Sequence, residues 1–238
     1  MQARVFVVPL IAALFGCAES DTAAPGNAFD PFLLPDYPPD DVAWQIADER
    51  ADADAMITAL EQIHDWHTAN DTGLELQPAL NHGALTEGLS VFPCDVPGEL
   101  ITLWSWRDGE SSNRFIWYHR FLSVSDAADE YLRLLTEDEW KAHWIPVFEF
   151  EGEWYFVDCE KDASIGSPVS LYFNESGPSY NYVNLTSYLQ TMAAAMDRGL
   201  LNWNEGWWAG TDKVQDLASV HAEFNEGVSF PYYIPEME

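Results

Sequence analysis

Positive charge is what this sequence has least of. Only 10 of its 238 residues are Lys or Arg, against 40 Asp and Glu, for a formal net charge of −30. Nucleic-acid binding needs clustered cations that displace phosphate counterions, so that class is excluded. Cysteine is scarce as well, with three in the chain, and no CxxC or HExxH motif offers a metal site. No Gly-rich phosphate loop and no GxSxG elbow occurs. No cofactor and no metal is therefore expected. The one long apolar run, Val5–Phe15, is interrupted by Pro9 and falls short of the roughly 20 residues a membrane span needs.

What is present is globular material: 47% apolar and 14% aromatic residues, too much for a disordered or collagenous chain. Residues 1–16 read as a secretory signal: a charged start, a short apolar core and a small-residue exit. Leu14-Phe15-Gly16-Cys17 resembles a lipobox, with cleavage before Cys17 and lipid on its thiol. That resemblance implies a membrane-anchored lipoprotein of a bacterial cell envelope, periplasmic or on the outer face. Residues 17–39 hold five prolines and four acids, which reads as an extended tether. Residues 40–238 read as a single domain. Cys94 and Cys159 remain once lipid takes Cys17. They are either a disulfide in an oxidising compartment or two buried thiols.

Along the domain, Met56, Leu60, Ile63 and His67 recur at helical spacing, which predicts one helix over Asp40–Asn70. Leu89–Phe92 reads as extended, and Pro97 opens a short apolar helix that stops near Asp108-Gly109. Arg114–Phe121 reads as a strand. Ser125–Thr136 reads as a helix capped by Ser125, with Ala128, Tyr131, Leu132 and Leu135 as its buried face. Trp144–Phe150 and Trp154–Cys159 flank the turn Glu151-Gly152-Glu153, a hairpin signal. Ser170–Phe173 and Ser179–Val183 are further short strands. Leu185–Arg198 and Thr211–Asn225 are late helices. Strands gathered mid-chain between helices predict an α+β fold, with a central, mostly antiparallel sheet flanked by helices.

Candidate functional residues are few. His64 and His67 form an HxxH on one helix face, but they share it with Leu60 and Ile63, and they read as core or edge histidines rather than ligands. With 40 acids, a carboxylate pair at glycosidase-like separation arises by chance, so no catalytic residue is assigned. The acids at the predicted hairpin, Glu149, Glu151, Glu153, Asp158 and Glu160, are the candidate surface for a basic protein partner, because long-range charge speeds encounter with one. Trp207 and Trp208, with Tyr232 and Tyr233, are the alternative: aromatics on which sugars could stack.

One ordered series of short motifs goes further. Glu87-Gly88-Leu89, Pro93, Pro97, Leu103-Trp104 and Asp108-Gly109 come first. Then follow Leu122-Ser123-Val124-Ser125-Asp126-Ala127, Trp144-Ile145-Pro146-Val147, Gly152, Tyr155-Phe156-Val157-Asp158, Gly166-Ser167-Pro168-Val169 and Leu185-Thr186-Ser187-Tyr188-Leu189. The series, over about residues 80–200, resembles the SUKH superfamily, the Smi/Knr-like cell-wall assembly regulator domains. It departs in having Asp108 where the family has Asn. The resemblance implies a mixed α+β domain without catalytic residues. It also implies protein binding, in bacterial members as immunity proteins that neutralise a toxin. A carbohydrate-binding or cell-wall-maintenance lipoprotein is the alternative expectation.

Overall fold

The computed structural model describes residues 40–112, 115–159, 165–173, 177–204, 207–209 and 213–230, with the backbone alone at 40–42, 44, 207 and 209. All fall within one unit, Pro35–Glu238. The signal, Cys17 and the tether lie outside the described residues, as do Glu160, Tyr232 and Tyr233.

The fold is α+β. In chain order it runs α1 (Asp40–Arg50), α2 (Ala53–Ala69), α3 (His82–Leu89), α4 (Gly98–Trp106), β1 (Arg120–Phe121), α5 (Val124–Leu134), β2 (Trp144–Phe150) and β3 (Glu153–Asp158). It continues with β4 (Val169–Phe173), β5 (Gly177–Tyr182), α6 (Leu185–Asp197), β6 (Asn202–Asn204), β7 (Trp207–Ala209) and α7 (Val214–Phe224). Strands β1 to β5 form one antiparallel meander in sequence order, and β6–β7 is a separate hairpin.

The sheet is covered on both faces. On the inner face Ile145, Phe148, Tyr155 and Tyr182 join the main core with the α6 residues Tyr188, Leu189 and Met192. The Tyr188 ring lies 5.1, 5.0 and 4.8 Å from those of Phe148, Tyr155 and Tyr182. On the outer face Trp144, Trp154, Phe156 and Tyr172 pack with Trp140 and Leu134 in a second core. This explains why Trp144–Phe148 is apolar without alternation: both pleats are desolvated. A bulge between Pro146 and Phe148 lets the strand carry a proline inside the sheet.

Local chemistry sets the ends of the helices. The side chain of Asp52 accepts from the amides of Asp54 and Ala55, and so caps α2. That cap divides the single helix expected over Asp40–Asn70 into α1 and α2, because the β-region backbone of an N-cap interrupts helical dihedrals. Asn81 caps α3, a helix that takes in Leu89 where an extended piece was expected. Ser123, not Ser125, caps α5. The two-residue shift turns Val124, Ala127, Tyr131 and Leu134 inward and leaves Leu132 and Leu135 52% and 40% exposed. Of the strand expected over Arg114–Phe121, Arg114 lies outside the described residues, and among the described ones only Arg120–Phe121 is strand. Gly109, at φ +77°, admits no side chain: a Cβ would meet Ser123 Cα at 2.7 Å and the Leu122 carbonyl carbon at 2.8 Å. The chain can therefore turn tightly against the start of α5 only with glycine there.

Cys94, after α3, and Cys159, after β3, form a disulfide with their Cα atoms 6.0 Å apart. The bridge ties the helical layer to the end of the central hairpin across 65 residues. Reduction is expected to lower stability by about 4 kcal/mol, read as a lower urea midpoint with an unchanged native circular-dichroism spectrum. An unchanged midpoint would mean that the unfolded chain gains nothing from losing the bridge.

Candidate functional site

The hairpin acids do not form one patch. Cross-strand partners share a face, so Glu149 sits opposite Trp154 and Asp158 opposite Trp144 on the outer face. Glu153 sits opposite Phe150 on the other face. There Glu153 Oε2 lies 3.7 Å from His119 Nε2. The exposed Glu151 occupies the turn at φ +44°. The structure thus brings Glu149 and Asp158 together with the outer aromatic core and sends Glu153 elsewhere. Glu160 lies outside the described residues.

Around the outer core the acids are joined by others that local sequence did not associate with the hairpin. Trp154 Nε1 donates to Glu130 Oε1 at 2.8 Å. Burial, and after it the charges of Glu139 and Glu137, raise the affinity of the Tyr172 phenol for its proton. Two arginines serve this rim, and both are shared. Arg120 donates to Asp126 at 3.1 Å and lies 3.6 Å from Glu149. Arg133 donates to Glu130 at 2.7 Å, lies 3.6 Å from Glu137, and covers the Trp154 ring at 5.2 Å. His143 Nε2 stands 3.7 Å from Asp158 Oδ2. Carboxylates outnumber the arginines that could neutralise them, so this face projects a negative field. Beside it, Asp129, Leu132 and Leu135 recur three apart on the solvent side of α5, an apolar step next to the charged rim.

The alternative aromatic set fares differently. Trp208 is 3% exposed and stacks on Trp66 at 5.4 Å, with Trp203 and His67 edge-on. A buried indole offers no face to a sugar, so Trp208 is a packing residue. The side chain of Trp207 and residues Tyr232 and Tyr233 lie outside the described residues. His67 is also core. Its ring is hydrogen-bonded to Thr72 Oγ1 and the Phe115 carbonyl, both at 2.7 Å. Among the described residues no cluster of His, Cys, Asp or Glu could hold a metal ion.

Residues that sequence reasoning missed lie in the turn Ile116–His119. Trp117 and Tyr118 both have positive φ, +31° and +72°, as a type I′ hairpin requires, although neither is the Asn or Gly that adopts it cheaply. Ile116 and His119 exchange backbone hydrogen bonds across it, at 3.3 and 2.7 Å. Tyr118 Oη donates to the Trp208 carbonyl, and its ring packs on Phe150. No turn residue marked this position, so the period alone read as strand.

No protein-family model matches the chain, and no curated protein matches it. No helix among the described residues is long and apolar enough to cross a membrane.

The buried titratable groups predict acid sensitivity. Burial lowers His67 and His119 to about 4, and lowers His221 as well. In the unfolded chain these groups take up protons near pH 6.5. Between pH 6.5 and 4 the unfolded state therefore binds more protons, and stability falls as pH drops, by up to about 3 kcal/mol each for His67 and His119. Glu99, raised by burial to about 7, acts in the opposite sense, losing stability as pH rises from 4.5 through 7. Burial raises the Glu153 carboxyl too, in the same sense as Glu99. The three histidines outnumber these two acids, so urea midpoints are expected to fall from pH 6.5 to 4.5, and His119→Gln to flatten that slope. A midpoint that rose over this interval would contradict the burial assigned to the histidines.

Proposed function

We propose that this chain is a non-enzymatic envelope lipoprotein whose SUKH-like domain binds a basic protein, in the manner of an immunity protein that intercepts a toxin. The observation that carries the reading is the acidic rim of the outer sheet face. There Glu130, Glu137, Glu149 and Asp158 surround an aromatic core while Arg120 and Arg133 are each already shared between two carboxylates. A basic partner gains from such a field chiefly in association rate, with a strong dependence on salt. Leu132 and Leu135 beside the rim supply the apolar contact that a charged rim lacks, since binding energy concentrates in a few desolvated groups.

The order of elements supports the SUKH resemblance. A helix ends at Trp106, just before Asp108-Gly109, and a second is capped by Ser123. A Trp-containing hairpin and two further strands lead into α6. The anchor rests on the lipobox resemblance at Cys17. The burial of Trp208 weighs against the glycan-binding alternative, because it removes one of the aromatics on which that reading relied.

Capture on the immobilised full-length chain from envelope extracts of the same and of sister strains tests this. Retention of a basic protein at low salt and its release at high salt are expected. The triple variant Glu149→Lys, Glu151→Lys, Asp158→Lys should weaken that retention tenfold or more. Retention indifferent to both salt and the three reversals would sink the reading.

A further inference from the structure

Away from this face, helices α2 and α6 leave an open groove between them. The helices start together: the Asp52 amide, at the N-cap of α2, donates to Thr186 Oγ1 in the first turn of α6 at 3.4 Å. One groove borders Ala55 near the start of α2 and Ala69 at its end, and Gln190 and Asp197 along α6. The two helices therefore run parallel, and both C-terminal ends lie at one end of the groove. The space measures about 710 Å³, the size of a cleft that buries a small ligand or a few residues of peptide. Alanines 59, 193 and 194 line it, so a backbone can approach closely. Trp66 and Phe224 add aromatic walls.

Its charged lining is net negative, with Asp65 and Asp197 against Arg198. Two parallel helices place two partially negative C-terminal ends together. Asp65 and Asp197, both exposed, stand at that end. One cation, Arg198, lines the groove as well; it gives both terminal nitrogens to Glu223, at 2.7 Å each, and feels the charge of the neighbouring Asp197. The histidine in the last turn of α2, His67, is buried, and its burial holds it uncharged at neutral pH. The groove thus combines small residues, aromatic rings and two carboxylates against one arginine that is already paired with Glu223, an arrangement suited to a planar cation that can stack and pair at once.

We infer that this groove is a second binding site, which seats an arginine-bearing peptide segment of a protein partner. The guanidinium packs against Trp66 and pairs with Asp65 and Asp197, while the alanine floor admits the segment's backbone. The inference does not depend on the acidic sheet face, which lies on other elements.

Calorimetric titration of the full-length protein with a blocked alanine-rich peptide carrying two arginines tests it. Binding at one peptide per chain is expected, with no measurable binding of the same peptide carrying glutamine at both positions. Asp65→Asn with Asp197→Asn should weaken the arginine peptide at least tenfold. These residues are exposed, so the exchange leaves the core intact. A charge-matched control, Asp129→Asn with Glu137→Gln on the sheet-face side, should leave it within twofold. Equal affinity in the Asp65/Asp197 variant, or equal binding of the glutamine peptide, overturns the inference. Loss confined to the Asp129/Glu137 variant also overturns it, and assigns the peptide to the sheet face, whose own failure would appear separately in the capture experiment.

Discussion

Helix α6 begins in the protein interior, where its first amides have no water to bond. Glu99, 2% exposed, reaches them from the first turn of α4. Its carboxylate accepts from the amides of Leu185 and Thr186 at 3.2 and 2.7 Å and from the Thr186 hydroxyl. Asn184 and Ser187 complete the end as a capping box, and the Asn184 amide donates to the Ala47 carbonyl of α1. Asn225 draws Val183, Ser187 and Thr191 into the same network from the end of α7. Four helices are thereby indexed on one helix start. Because α6 carries Tyr188 against the inner face of the sheet and forms one wall of the α2 groove, its start sets both the core and the proposed second site. Burying a carboxylate is expensive, and burial raises Glu99 to about 7 against the pull of its donors. The helix dipole and three donors are what make the position tenable.

Glu110 plays the corresponding part at the other end of the sheet. It accepts from the amides of Phe115 and Phe121, at 2.8 and 3.2 Å, and from Ser112 Oγ. It thereby holds the chain on either side of the strained Trp117-Tyr118 turn. Two of the many acids are therefore internal fasteners. The other acids among the described residues are at least partly exposed. Where arginines occur near the sheet they are shared between carboxylates, which orders the rim without neutralising it.

The two surfaces differ in kind. The sheet face offers a wide charged rim beside two exposed leucines and suits a folded basic partner. The α2–α6 groove offers depth, small side chains and helix ends, and suits an extended or helical segment. Both favour positive ligands, as a net charge of −30 makes general. Only the groove adds a shape that selects among them.

Local pattern in the sequence determined a good deal. The α+β class, the β2–β3 hairpin around Gly152, and helices α6 and α7 all follow from period, turn chemistry and apolarity. Tertiary structure decided the rest. Helix α5 starts at Ser123 and not Ser125, because two serines cap equally well in isolation and only packing against β2 selects the face. The hairpin acids divide between two faces because pleating separates neighbours in sequence. Trp208 is buried because Trp66, 142 positions earlier, offers it a stacking partner. Glu99 sits inside because the donors that can hold it belong to a helix 86 residues away. Desolvation and cross-chain pairing are properties of the packed molecule, so no window of sequence displays them.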